Sequence, residues 1–309
     1  MWETRLWKRT EIDDQRWNAF VDASPQQYLY FYTWFLDAAC PDWLAITVSH
    51  RGKCFLQWPL PVKRKAFLRY AFQPRLTQFG GPLLAPFEGP NHQRQYLYKV
   101  ALQHAIAALP KLFVIDINLH PSLDFFLPFH WAGFEVRPRY TYWLPLAADV
   151  KAVEARFSSS TRRNLDKSRK EGCYTRLAES PDNLLMLARQ ADIFDAGHEQ
   201  AFRRIWQVLV QHGAGHVLEA FTADGQLAGA AAYVLDGVRT IYLSSALEPE
   251  LRRSDAGTLL VAEGIAMACR NHCQWFDFEG SMIPSVEQFF RKFNPVGKVY
   301  WNVSRRWPG

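Results

Sequence analysis

The strongest case for chemistry in this chain is made by five residues, Asp277-Phe278-Glu279-Gly280-Ser281. They follow Trp275-Phe276, so the segment reads as a short strand, Trp275 to Glu279, that stops at Gly280-Ser281. Side chains alternate along a strand, which puts Asp277 and Glu279 on one face and Phe276 and Phe278 on the other. Two carboxylates at a strand's end, just before glycine, suit a cleft in which either one orients an attacking amine or takes its proton. The plainer alternative is that they accept hydrogen bonds from the N–H groups of the turn. Downstream, Phe289-Phe290-Arg291-Lys292-Phe293 turns its phenylalanines inward and leaves Arg291 and Lys292 beside the carboxylate strand, either as anion ligands or as solvated surface.

A second group lies at Ser158-Ser159-Ser160-Thr161-Arg162-Arg163 and onward to Lys170. The hydroxyl run supplies an N-cap, so a helix begins here. Arg163, Lys167 and Lys170 fall at i, i+4 and i+7 and form one basic stripe. Like charges at that spacing repel, so an anionic partner relieves a standing cost, and the helix N-terminus beside them is a natural phosphate site. A solvated basic face is the competing reading.

The elements that must position these groups are legible in the second half. From His216, three apolar runs are separated by Asp224-Gly225 and Asp236-Gly237, which predicts an antiparallel meander closed by type I′ turns. A helix follows, with Ser254 or Asp255 as N-cap, then the carboxylate strand, a helix opened by Pro284, and a last strand from Lys298 to Val303. The first half carries a looser copy: strands over 43–49, 54–62, 112–118 and 139–146, and helices over 93–109 and 125–131. Superposing the halves sets Asp116 opposite Asp277 and Asn118 opposite Glu279, which points to an internal duplication. The expected fold class is α/β (α+β): two tandem domains, 1–148 and 149–309, each a mixed, mainly antiparallel sheet flanked by helices.

Composition narrows the rest. At 309 residues, two domains are the default. A net charge of +6 favours anionic partners without naming one. Aromatic residues reach 15%, so some of them can line a groove that stacks a flat or sugar-like ligand, although most belong in the core. The five cysteines are odd in number and lack framework spacing, which fits reduced thiols in a cytoplasmic protein. Cys269, His272 and Cys273 cluster, but the sequence offers no further ligand pair, so no metal is expected. No apolar run approaches the ~20 residues of a membrane span, so integral membrane association is not expected and any contact, such as at the inner membrane face, is peripheral. No G-x-S-x-G elbow, phosphate-binding P-loop or dinucleotide fingerprint occurs, and nothing points to DNA.

Taken together, STRRNLDKSRKEG, the Asp-Gly meander and FDFEGSMIPSVEQFFRKFNP resemble the FemAB-like branch of the GNAT (acyl-CoA N-acyltransferase) superfamily, with the first half similar to that family's first domain. The resemblance implies two GNAT-like domains, a transferase that needs no metal, and an acyl or aminoacyl group passed to an amine, as in cell-wall or polysaccharide biosynthesis. Carried over residue by residue, it makes Glu279 and Asp277 catalytic. It gives donor or substrate contacts to Arg162, Arg163, Lys167, Gly257, Gly280, Ser281, Arg291 and Lys292. The chain departs from the family in two places. Residues 178–213 are too short for the helical arm of some tRNA-dependent members, and the pyrophosphate loop survives only as Arg252-Arg253-Ser254-Asp255-Ala256-Gly257-Thr258, with Asp255 placed to repel phosphate. The expectation is therefore an N-acyltransferase with an acyl-CoA donor and an anionic small-molecule or glycan-precursor substrate. Aminoacyl-tRNA is the alternative donor, and a non-catalytic module that binds an anionic glycan precursor or RNA is the rival reading.

Overall fold

The computed structural model describes residues 1–307, with the side chains of Arg252 and Arg253 outside that description. The chain divides into two compact units, one of Met1–Arg139 with the segment from Val299, the other of Tyr140–Lys298. The expected boundary lies between 148 and 149, whereas the units part between Arg139 and Tyr140 and the last strand returns to the first unit from Val299.

In the first unit, β1 (Trp2–Lys8) precedes α1 (Asp14–Ala23) and α2 (Thr33–Ala39). Then come β2 (Leu44–His50), β3 (Lys53–Leu60), β4 (Val62–Lys65), β5 (Leu68–Phe72) and β6 (Leu83–Leu84). Helix α3 (Asn91–Ala107), β7 (Val114–Asn118), α4 (Leu127–Trp131) and the start of β8 (Glu135–Pro145) complete it. Strands β1, β2, β3 and β6 form an antiparallel sheet, while β7 pairs parallel with β5. The core packs α3 and α4 on these strands through Trp58, Leu102, Ile106, Ile115 and Phe129.

The second unit takes β8 from Tyr140 onward, then α5 (Val150–Glu154), α6 (Ser159–Lys170), β9 (Tyr174–Ala178), α7 (Asp182–Gln190) and α8 (Ala196–Gln211). The meander follows as β10 (Gly215–Phe221), β11 (Leu227–Leu235) and β12 (Arg239–Leu247). Helix α9 (Ala256–Arg270), β13 (Trp275–Asp277), α10 (Pro284–Arg291) and β14 (Val296–Arg306) end the order, β14 passing into the first unit at Val299. Strands β10 to β12 form the antiparallel meander that the Asp-Gly spacing predicts, and β9 adds antiparallel to β10. The turns differ from type I′: among their residues only the glycines have positive φ, Gly225 at +85° and Gly237 at +84°. The aspartates are spared that strain because they work as side-chain acceptors, Asp236 Oδ1 taking the N–H groups of Val238 and Arg239 at 2.9 and 2.7 Å.

Helix α9 is apolar almost all round, so it is buried almost all round. Tyr233 of β11 donates to the Leu260 carbonyl at 2.7 Å, and its ring fills the space that a side chain at Gly264 would need. The duplication is visible in the strand pairings. β7 runs parallel to β5 and antiparallel to the last part of β14, while β13 runs parallel to β12 and antiparallel to the second part of β8. Asn118 lies opposite Asn302, whose amide donates to Asp116 at 2.7 Å and Asn118 at 3.0 Å. The first unit's counterparts of Asp277 and Glu279 are thus held by a polar clamp.

Candidate active site

The parallel ladder between β12 and β13 covers only Arg239–Ile241 against Trp275–Asp277. Beyond Ile241, β12 continues to Leu247, and among the described residues no strand pairs with that side of it. Its register against β11 also shifts there, with Ala232 facing Ser244 while Tyr233 faces Tyr242. Backbone N–H and C=O groups at a ladder's open end are free for a ligand in extended conformation.

β13 ends at Asp277, two residues short of the expected strand. Asp277 is fully buried, and its Oδ1 accepts the Glu279 N–H at 2.8 Å and the Thr141 hydroxyl at 3.4 Å. This carboxylate therefore does the turn-closing work that the sequence offered as the plainer alternative. Glu279 does not share a strand face with it, because Glu279 (φ +55°) and Gly280 (φ +56°) are both left-handed and the alternation ends. A left-handed glutamate costs about 1–3 kcal/mol, a strain that collects at functional positions. Gly280 is required twice over: a Cβ would sit 2.4 Å from the Thr141 Cα and 2.6 Å from the Tyr140 carbonyl oxygen. As a residue Glu279 is partly exposed, yet burial of its carboxyl group pushes its pKa well above the usual carboxylate range. Ser281 Oγ accepts the Ile283 N–H at 3.0 Å and leads into α10.

Helix α10 buries Phe290, and the rings of Phe278, Phe289, Phe290 and Phe293 pack edge to face or tilted at 4.9–5.9 Å. Its end caps the start of α6: the Ser158 N–H donates to the Lys292 carbonyl at 2.8 Å, and the Thr161 hydroxyl to the same oxygen at 3.4 Å. Arg291 pairs with Glu287 at 3.3 Å, and Glu287 accepts the Tyr142 hydroxyl at 3.0 Å. Burial, then Glu287, raises the Tyr142 pKa. Both Arg291 and Lys292 are exposed, as expected.

Helix α6 starts as read, with Ser158 Oγ accepting the Thr161 N–H at 3.2 Å. Thr161, Leu165 and Ser168 face inward. Arg162, Arg163, Lys167 and Lys170, with Asp166 among them, line a shallow concavity of about 540 Å³. Arg162 donates to the Ala155 carbonyl at 2.7 Å, and Lys167 reaches Asp255 at 3.2 Å. That ion pair joins the basic stripe to the start of α9, where Asp255 is the N-cap residue at φ +56°. Gly257 packs there against Leu247, whose methyl a Cβ would meet at 3.1 Å.

Sequence reasoning missed Thr141, Tyr142 and the Lys167–Asp255 pair. The segment Tyr140-Thr141-Tyr142-Trp143-Leu144 is visibly a strand, but nothing local tells which sheet it joins. Among the described residues no cluster of three His, Cys, Asp or Glu side chains fits a metal. Cys269 and Cys273 are buried thiols whose pKa values burial raises.

Residues 155–289 match the acetyltransferase (GNAT) domain. No protein of curated function matches the sequence. The fold is similar to that of the solved structure of FemX, with TM-score 0.67 and 14% identity over 97% of this chain and 96% of that one. It is similar to a tandem GNAT protein from the clavulanic acid biosynthesis pathway, with TM-score 0.60 and 13% identity over 99% and 100% of the two chains. It is also similar to the C-terminal domain of a putative lysylphosphatidylglycerol synthetase from Agrobacterium fabrum, with TM-score 0.52 and 11% identity over 96% and 92%.

Proposed function

We propose, from the premise that the second half of this tandem GNAT fold is an acetyltransferase (GNAT) domain, that the chain is an N-acyltransferase with an acyl-CoA donor and an amine acceptor. One observation carries the reading: a buried carboxyl group with a raised pKa, Glu279, stands two residues past the point where the β12–β13 ladder opens. Glu279 acts as general base. The acceptor nitrogen attacks the thioester carbonyl carbon, a C–N bond forms, and the nitrogen's proton passes to the Glu279 carboxylate. The tetrahedral oxyanion is steadied by backbone N–H groups of β12 beyond Ile241, and collapse expels the CoA thiolate.

The donor's diphosphate is read at the start of α9, on N–H groups around Gly257, where Lys167 offsets the charge of Asp255. Arg162, Arg163, Lys170, Arg291 and Lys292 supply positive charge for an anionic acceptor such as a glycan precursor. Asp277 positions Glu279 through the 2.8 Å bond to its N–H. The outward basic face of α6 also supports a second donor, aminoacyl-tRNA, for the same base. Calorimetric titration with acetyl-CoA, free CoA and a charged tRNA mixture at two salt concentrations tests the choice. Acetyl-CoA binding with modest salt sensitivity, followed by acetylation in an amine panel, is expected. Binding of charged tRNA alone transfers the reading to the second donor, and binding without any turnover overturns the enzyme.

A further inference from the structure

The alternation along β14 sets Trp301, Val303, Arg305 and Trp307 on one face of the first unit's last strand. Val303 is fully buried in the core, so a guanidinium is being delivered to an apolar face. It is held firmly there. Its Nη1 donates to the Ala132 carbonyl at 2.8 Å, and its plane lies 4.4 Å from the Phe134 ring centre and 3.8 Å from that of Trp307. Its Nε is buried without a hydrogen-bond partner. Burial pulls the Arg305 pKa down, and among the described residues no carboxylate offsets the charge. Elsewhere in the molecule comparable arginines have counterions: Arg9 has Asp37 at 2.6 Å, Arg169 has Glu154 at 2.8 Å, and Arg239 has Asp236 at 3.4 Å.

This cation opens on a cavity of about 490 Å³ between the end of α3 and α4, which Lys111 and Gln103 also line and Trp131 and Trp307 wall. Trp131 is 57% exposed, so its ring is open to a ligand at the cavity. A partly desolvated guanidinium with no carboxylate beside it carries a cost, and a bound anion lowers that cost, the more so when a second cation stands at the rim. The two indoles add a surface on which a planar ring stacks.

We infer that the cavity around Arg305 is a binding site for a phosphate ester carrying a planar ring, with Arg305 and Lys111 on the phosphate and Trp131 against the ring. The site belongs to the first unit and is independent of acyl transfer by the second. It takes up part of the aromatic surplus noted in the sequence.

The test titrates the full chain with phenyl phosphate, inorganic phosphate and phenol, followed by calorimetry. Phenyl phosphate should bind more tightly than either of the others. Arg305→Gln should weaken it about tenfold or more, and Lys111→Gln about threefold, as for loss of a charge-assisted and an exposed contact. Trp131→Ala should weaken phenyl phosphate but leave inorganic phosphate unchanged. Lys111 and Trp131 are exposed, so those variants keep the test open if Arg305→Gln fails to fold. Lys53→Gln, an exposed cation at the start of β3 in the same unit, should bind as wild type. The inference is overturned if phenyl phosphate binds no better than inorganic phosphate, if the Lys111 and Trp131 variants bind as wild type, or if Lys53→Gln abolishes binding.

Discussion

Replacing Gly280 with alanine puts a number on how tightly the carboxylate turn is built. Two costs add. A left-handed residue with a Cβ costs about 1–2 kcal/mol. The new methyl would also lie 2.4 Å from the Thr141 Cα and 2.6 Å from the Tyr140 carbonyl, both backbone atoms that cannot rotate aside. Overpacking of this kind costs about 1–3 kcal/mol. The total is about 2–5 kcal/mol, which lowers Tm by roughly 4–20 °C for a domain of about 150–250 residues. Gly237→Ala is the control: its φ is +84° and nothing lies within 4 Å of the added Cβ, so it bears only the backbone cost. Thermal melts of both variants by circular dichroism should show Gly280→Ala losing at least twice as much Tm as Gly237→Ala. Equal losses would mean that β8 does not press on the turn, and the positioning of Glu279 argued from it would fall.

Other outcomes follow from the same geometry. Gly264→Ala should destabilise by about 1–3 kcal/mol despite alanine's better helix propensity, because the Tyr233 ring lies 2.3 Å from the new Cβ; chemical denaturation checks the sign. Lys167→Met should change stability by less than about 1 kcal/mol, as its ion pair is half exposed, yet weaken CoA about threefold to tenfold by leaving Asp255 unopposed at the start of α9. Glu279 has a folded-state pKa above its unfolded value, so ionisation opposes folding and its contribution is lost as pH rises from the ordinary carboxylate range through the raised pKa. Glu279→Gln should therefore be more stable than wild type at pH 8, and denaturation midpoints of the two should converge below about pH 4.

The second unit was the more legible half because its signals are local. Asp-Gly pairs separate β10, β11 and β12, hydroxyl residues open α6, and Pro284 opens α10. The first unit was blurred by its short strands, β4 to β6, which carry too few residues to show a period. The exchange of end strands left no local mark: Tyr140–Pro145 and the chain from Val299 read as strands wherever they pair, and only register assigns them. Within the site, the residue types were readable and the backbone was not. Strand alternation put Asp277 and Glu279 on one face, but the 2.8 Å bond from the Glu279 N–H to Asp277 pulls the chain into a left-handed turn instead. The basic stripe was visible at helical spacing, whereas its partner Asp255 stands 88 residues from Lys167 and emerges only from packing.

The most direct measurement is the pH dependence of acetyl transfer by wild type and Glu279→Gln, using acetyl-CoA with the best amine from the acceptor panel. A buried base with a raised pKa predicts an acidic limb in wild-type kcat/KM, displaced above the ordinary carboxylate range. The variant should lose that limb and fall about 10²–10⁴-fold in kcat, with acetyl-CoA affinity nearly unchanged. A variant that keeps wild-type kcat and the same limb would contradict the account.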